Sequence, residues 1–478
     1  MTARVDAAEL TAGPTDLRPT DLRPNDLGMT AAEVSLTLGV VLAVAAFGGT
    51  EPISFAVVEI LFFAVAAWLL LRSGSLDVAV RARYFVVPVL LTALALLQLC
   101  PLPAGFLSRF AGRANHTSAR FSALSFAPYD SRNGLLILLT CFVAFFLAYV
   151  VGQDRSRKQR LIFALVALGV AEAFYGLAQY LMNVQTIFWF TKKYDLEEAT
   201  GTYINRNHFA GFLEMVLPFA VCLAMYEGEK LLARRKHRSG HVKKLTSDVK
   251  TQAVILWLAV AVVLMAAIVF SRSRMGLLAA SASLLVVFGL KMLQRKALPA
   301  VLGVAFVALS LCLAGWIGLR PALSRFESLG QEFSGDQSRL SMWPGTLKLI
   351  AEHPLVGTGL GTFPVVYTEV QTTFLTQFVN HAHNDYLEIT SDLGIPAALL
   401  LFASIFFVLL HAVRAFLHGE GKYGPAISLA CVGSIVAILL HSLTDFNLHI
   451  PANALLFAVI LGLALASASK ATPAEAAA

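Results

Sequence analysis

Charge is scarce in this chain. Only 14% of the 478 residues are Asp, Glu, Lys or Arg, against ~25% in ordinary soluble domains, while 57% are hydrophobic and the mean hydropathy is +0.70. Such a balance excludes a soluble multidomain protein and points to an integral membrane protein. Cysteine is also sparse. Cys141, Cys222, Cys312 and Cys431 fall inside apolar runs and Cys100 ends another, which argues against a disulfide framework or a zinc site. A cleavable signal peptide is not expected. The opening residues carry the near-repeat TDLRPTDLRPNDL, too polar and proline-rich for one, so residues 1–31 are expected to be a disordered cytoplasmic tail. The net charge of +7 is accompanied by no nucleic-acid motif.

What the chain has is long apolar runs. A membrane-spanning helix needs ~20 mainly apolar residues, and twelve runs qualify, near 32–49, 53–71, 84–100, 134–151, 160–181, 208–227, 252–270, 275–290, 297–318, 394–413, 424–441 and 452–468. The expected fold is all-α and polytopic, with about twelve transmembrane helices over 32–468 and a short cytoplasmic tail, 469–478. Cytoplasmic loops carry the excess of Lys and Arg. With both termini inside, the inner segments hold 24 of the 37 basic residues, so an N-in, C-in arrangement is expected. The densest basic stretch, EKLLARRKHRSGHVKK, reads as an anchor against anionic lipid. The longest outer loop then covers about 319–393 and should contain short helices.

On the same outer side four polar clusters emerge: GTYINRNHFAG at 201–211, SRSRMG at 271–276, NHAHNDYLEITSDLG at 380–394 and HSLTDFNLHIPAN at 441–453. One composite site would gather such segments. Arg272 and Arg274 stand between two closely spaced runs, where a guanidinium near hydrocarbon needs a partner. An anion is the natural one, although snorkelling to headgroups or pairing with an acidic loop residue would also satisfy them. Asn207 is placed to cap the sixth span. Arg206, a planar fork of donors at that helix N-terminus, suits a phosphate or diphosphate.

In the third cluster Asp385 and Glu388 have the spacing of a capping box, and Gly394 with Pro396 marks a break before the next span. His383 precedes a helix N-terminus, whose positive end disfavours a second proton on imidazole. A neutral histidine can accept a hydroxyl proton. Metal binding by His381 and His383 is the rival, but neighbours two apart are poorly placed on one helical face and no cysteine or third histidine has ligand-like spacing nearby, so no metal is expected. Asp336 could cap an amphipathic helix carrying Leu340, Trp343, Leu347 and Ile350. Gly357, Gly359 and Gly361 permit tight turns or close approach to a ligand. His441, Asp445 and His449 recur every four residues and would share a face if the helix continued, giving a supporting cluster.

These clusters, in this order, resemble the O-antigen ligase and polymerase superfamily of bacterial envelope glycosyltransferases. The shared elements are His383 and Asn384 followed nine residues later by Gly394; Arg206, Asn207 and Ala210; Ser273, Arg274 and Gly276; and a loop from Trp343 to Pro354, Gly357 and Gly359. Ala397 stands where ligases often have a second glycine. The resemblance spans about residues 34–468. It implies a helical glycosyltransferase of the GT-C type in the bacterial inner membrane, acting at the periplasmic face without metal or other cofactor. The implied donor is a glycan on undecaprenyl diphosphate, and the acceptor a glycan or lipid A-core hydroxyl among membrane lipids. His383 would be the catalytic base, and Arg206 and Arg274 would hold the diphosphate. Supporting roles are expected for Asn207, Arg272, Arg339, His381, Asn384 and Asp445. An exopolysaccharide or O-antigen polymerase is the alternative within the superfamily. A lipid-linked glycan transporter is the alternative outside it, although such folds place key polar groups near the midplane.

Overall fold

A computed structural model describes residues 24–71, 84–103, 105, 121–237, 249–294, 303, 339–371 and 378–467. Within them the chain is almost wholly helical: α1 Pro24–Ala45, α2 Pro52–Leu71, α3 Val86–Leu99, α4 Pro128–Val151, α5 Arg155–Leu181, α6 Arg206–His237, α7 Val249–Phe270, α8 Arg274–Leu293, α9 Arg339–Glu352, α10 Phe363–Val370, α11 Asp385–Leu393, α12 Ile395–His418, α13 Tyr423–His441 and α14 Pro451–Ala466. Two small antiparallel hairpins complete the described fold: β1 Pro101–Pro103 with β2 Phe121–Ala123, and β3 Thr186–Ile187 with β4 Phe190–Thr191.

Nine of the described helices are long and apolar enough to cross a membrane, while α3 and α14 are shorter apolar helices. Eleven of the twelve expected runs thus appear as helices. The twelfth, 297–318, lies outside the described residues apart from residue 303, as do residues 1–23, residues 238–248 with the second part of the basic stretch, Asp336 and the tail 469–478. The first helix begins at Pro24, seven residues before the expected end of the tail. Proline fits a first turn, and Asp26 favours the positive end of the helix.

Burial divides the helices. The apolar window of α6 is 94% buried, against 22% in α2 and in α12; α6 is therefore the central post, and the other two show most of their surface to lipid. Its sequence explains this, since FAGFLEMVLPFAVCLAM is apolar all round except for Glu214, which is buried against His441 Nδ1 at 3.1 Å. α7, α8 and α13 pack directly on α6, and α4 packs on α14 and α1. Small residues allow close approach, as expected where lipid supplies no hydrophobic drive between helices: a Cβ on Gly276 would lie 2.5 Å from that of Ala210. Two elements of the family resemblance therefore meet as a packing contact between α8 and α6.

Helix starts fix the polar end of this bundle. The α6 N-cap is Asn205, not Asn207, because Asn205 Oδ1 accepts the Asn207 N–H at 2.8 Å. Ser273 accepts the Gly276 N–H to cap α8. Asn384 accepts the Leu387 N–H to cap α11. The expected Asp385–Glu388 capping box is thus displaced by one residue, which frees both carboxylates for other bonds. α13 stops at His441, and Asp445 and His449 sit in the following turn, so the three do not share one helical face. In α9 the buried residues are Gly345, Thr346 and Leu349, and Leu347 is 53% exposed; the face used is not the stripe expected from leucine spacing. Gly357, Gly359 and Gly361 all adopt positive φ. The approach is to neighbouring backbone and side chains: a side chain on Gly357 would collide with the Asp392 carbonyl and one on Gly359 with Ser125 and Ser131, while the Gly361 N–H bonds the Asp392 side chain at 2.6 Å.

Candidate active site

Backbone bonds draw the four polar clusters to one end of the bundle. The Asp385 N–H reaches the Ser442 and Asp445 carbonyls, and the Ala199 N–H reaches the Phe270 carbonyl. Asn453 Nδ2 donates to the His208 carbonyl at 3.0 Å.

Asp445 is the hub. It is fully buried, and its Oδ1 accepts the Phe446 N–H at 2.9 Å. Two imidazoles face the same oxygen, His383 Nδ1 at 3.6 Å and His208 Nε2 at 3.7 Å. Arg339 approaches Oδ2 to 3.6 Å and donates to the Thr444 carbonyl at 2.6 Å. Burial alone would raise this carboxyl, but the two imidazoles and the Arg339 charge hold it well below the usual range. Asp445 is therefore an anion at neutral pH, held where it can orient His383. His383 itself has φ +50, an unusual backbone for a non-glycine residue, and its side chain is 25% exposed.

A second chain of buried acids and histidines lies beside the hub. His449 Nδ1 meets Asp385 Oδ1 at 2.7 Å, and its Nε2 lies 3.4 Å from Glu388 Oε1. Glu388 Oε1 also meets His381 Nδ1 at 2.7 Å, while Oε2 accepts the Ala382 N–H. Ser442 and the Leu448 N–H complete the shell of Asp385. Burial works against charge on His449, yet Glu388 and Asp385 hold its pKa up at about 10. Burial likewise opposes charge on Glu388, but His449 and His381 bring it below its ordinary value. Asp392 moves the other way: burial and the neighbouring Glu388 raise it well above the usual range. Phe446 fills the space among the imidazoles, stacked on His381 at 4.0 Å and edge-on to His208 and His383.

His381, Glu388 and His449 form the one grouping among the described residues able to offer three ligand atoms within 4.8 Å of one another. Folding thus supplies the third ligand type absent near His381 in sequence. The Glu388–His381 separation is a hydrogen-bond length, and a cation there would have to displace the proton that His449 holds between two carboxylates. The trio reads as an ion-pair chain.

The arginines form the third part. Arg206 donates through Nη1 to Glu198 Oε1 at 2.5 Å, lies 3.5 Å from Asp195 through Nε, and gives its N–H to Asp195 Oδ2. Arg272, with φ +54, contacts Glu197 at 3.3 Å and the same Glu198 oxygen at 3.8 Å. Pairing with acidic loop residues thus prevails over snorkelling for both. Arg274 opens α8 one residue beyond its cap and is partly buried.

Asp195, Glu197, Glu198, Phe446 and Asn205 were not expected at the site. DLEEATG, just ahead of GTYINRNHFAG, was the available signal for the acids: cations near hydrocarbon need counter-charges.

Residues 259–402 match a protein-family model described as O-Antigen ligase. That stretch of the chain is similar to the O-antigen ligase family. A search of the curated proteins found no match. The O-antigen ligase match runs from within α7 into α12 and includes Arg272, Arg274, Arg339, His381 and His383. His208, Asp445 and His449 lie outside the matched stretch but are folded against it.

Proposed function

We propose that this protein transfers a glycan from undecaprenyl diphosphate to an acceptor hydroxyl at the periplasmic face of the bacterial inner membrane, as an O-antigen ligase. The observation that carries this reading is the Asp445 hub, which gathers His383 and Arg339, both in the stretch similar to the O-antigen ligase family, around one buried carboxylate. With Nδ1 turned to an anionic carboxylate, the other imidazole nitrogen is left to accept the acceptor's proton. The acceptor oxygen then bonds to the anomeric carbon, the bond from that carbon to the diphosphate oxygen breaks, and the hydroxyl proton passes to His383. The diphosphate leaves as an anion held by Arg206 and Arg274. Charge stabilisation of that leaving group is the larger effect, with base catalysis contributing ~10² to 10⁴ in rate.

The polymerase alternative uses the same chemistry and differs in the acceptor, which is a second lipid-linked chain. Deleting the gene and examining envelope glycans separates them. A ligase leaves chains of normal length unattached, whereas loss of a polymerase leaves single repeat units. Unchanged envelope glycans would count against both.

A further inference from the structure

The proposed donor site is already full of carboxylates. Glu198 is 5% exposed, and its Oε1 serves both guanidinium groups, Arg206 from the start of α6 and Arg272 from between α7 and α8. Asp195 adds a second contact to Arg206, and Glu197 adds one to Arg272. Three carboxylates therefore face two guanidinium groups. Lys192, whose ammonium donates to the Glu198 carbonyl at 3.1 Å, brings the sum over these six groups to zero, and Arg274 is the one further cation of the proposed donor site. An anion approaching this neutral cluster gains little unless the acids withdraw.

Their segment is placed to withdraw. It is irregular backbone between β4 and α6, tied by the Lys192 N–H to the Gln185 carbonyl and by the Ala199 N–H to the Phe270 carbonyl. Between those ties Asp195 has φ +52, Leu196 is 40% exposed and the Glu197 side chain is 77% exposed. The middle can move while both ties and the core stay in place. Such positive-φ residues persist where the surroundings enforce them.

We propose that Glu198 is an internal occupant of the donor site, displaced when a diphosphate binds, and that this exchange sets the preference for a diphosphate over a singly charged group. The proposal rests on the reading of Arg206 as a diphosphate ligand. A tethered carboxylate has a high effective concentration, so a monoanion meeting one guanidinium cannot outcompete it. A diphosphate that replaces Glu198 on both Arg206 and Arg272 with charge-assisted bonds, in addition to its contact with Arg274, can. When the leaving group is to be released, the same carboxylate returns.

The test uses full-length protein in nanodiscs, with inorganic pyrophosphate and orthophosphate as competitors of glycan transfer from the lipid-linked donor. Glu198→Gln is expected to lower the donor KM and the inhibitory pyrophosphate concentration by about ten-fold, the worth of one charge-assisted contact. The advantage of pyrophosphate over orthophosphate should narrow, and kcat should not rise. Arg206→Gln should weaken pyrophosphate inhibition. If Arg206→Gln leaves inhibition unchanged, the arginine reading itself falls and the proposal with it. If Arg206→Gln weakens inhibition while folded Glu198→Gln shows an unchanged or raised donor KM, the carboxylate is structural and the proposal alone is overturned. Should Glu198→Gln fail to accumulate, Glu197→Gln decides: a two- to three-fold fall in the inhibitory concentration is expected from its single exposed contact, and no fall overturns the proposal.

Discussion

His383 Nδ1 lies 3.6 Å from Oδ1 of Asp445, a fully buried carboxylate that also faces His208 and Arg339. That separation is longer than a formed hydrogen bond, as is common before substrate tightens a catalytic contact. If Asp445 orients the imidazole, His383→Ala should reduce turnover by ~10² to 10⁴ while donor binding survives. Asp445→Asn keeps the size but removes the charge, and should cost on the order of ten- to hundred-fold in kcat with little change in donor KM. Steady-state kinetics on folded variants decide this; near-normal transfer by His383→Ala removes the histidine from the mechanism.

Arg206 and Arg274 have a different task. Lysine keeps the charge and loses the planar fork, so Arg→Lys at either position should remain impaired, by about ten-fold or more in donor KM, because a charge-assisted bond of ~1.5 to 3 kcal/mol is lost. Neutral replacement should be worse. Full activity in both lysine variants would return these arginines to structural pairing, which for Arg206 is already visible in its contacts with Asp195 and Glu198.

The His381–Glu388–His449 trio makes the metal question concrete. Held as an ion-pair chain, it should need no cation, and purified protein should transfer glycan in EDTA. Activity abolished by chelation and restored by a divalent ion would turn the trio into a ligand set and remove the account in which arginines do the work of a metal.

Much of this was legible in the sequence, and the parts that were not share a cause. Apolar runs of span length located the helices because lipid demands them, and the polar segments HAHND, INRNH and SRSR marked the site end because charge near hydrocarbon is costly. Local spacing misled where tertiary bonds were stronger. Asp385 and Glu388 have capping-box spacing, but buried histidines claim both carboxylates and Asn384 takes the cap. His441, Asp445 and His449 suggested one helical face, yet the helix ends at His441. The acids opposite Arg206 follow no helical or strand spacing, because irregular backbone between β4 and α6 folds Asp195 and Glu198 onto it.

The expected orientation also has a direct check. Lys193, between β4 and α6, and Glu420, between α12 and α13, are both exposed, and the excess of basic residues puts the first outside and the second inside. In a cysteine-free background, an impermeant thiol reagent added from the periplasm should label Lys193→Cys and leave Glu420→Cys unlabelled. The reverse pattern would place the site in the cytoplasm and sink the periplasmic transfer reaction.

The buried His449 predicts how stability follows pH. Its pKa is held at about 10 by Glu388 and Asp385, against ~6.5 in an unfolded chain. The folded state therefore binds the proton more tightly, and the stabilisation is complete below pH ~6.5 and declines as pH rises through the folded value. Glu388 behaves oppositely: its lowered pKa stabilises above ~4.3 and is lost as pH falls through the folded value. Between those limits the pair is charged on both sides. His449→Gln preserves a hydrogen-bond donor but not the charge, so its melting temperature should lie furthest below wild type near pH 6 and approach it as pH nears 10. Thermal melts in detergent at pH 6, 8 and 10 measure the gap directly. A gap that stays constant across that range would show that His449 contributes packing and a neutral hydrogen bond, and that the charge assigned to it between the two carboxylates is absent.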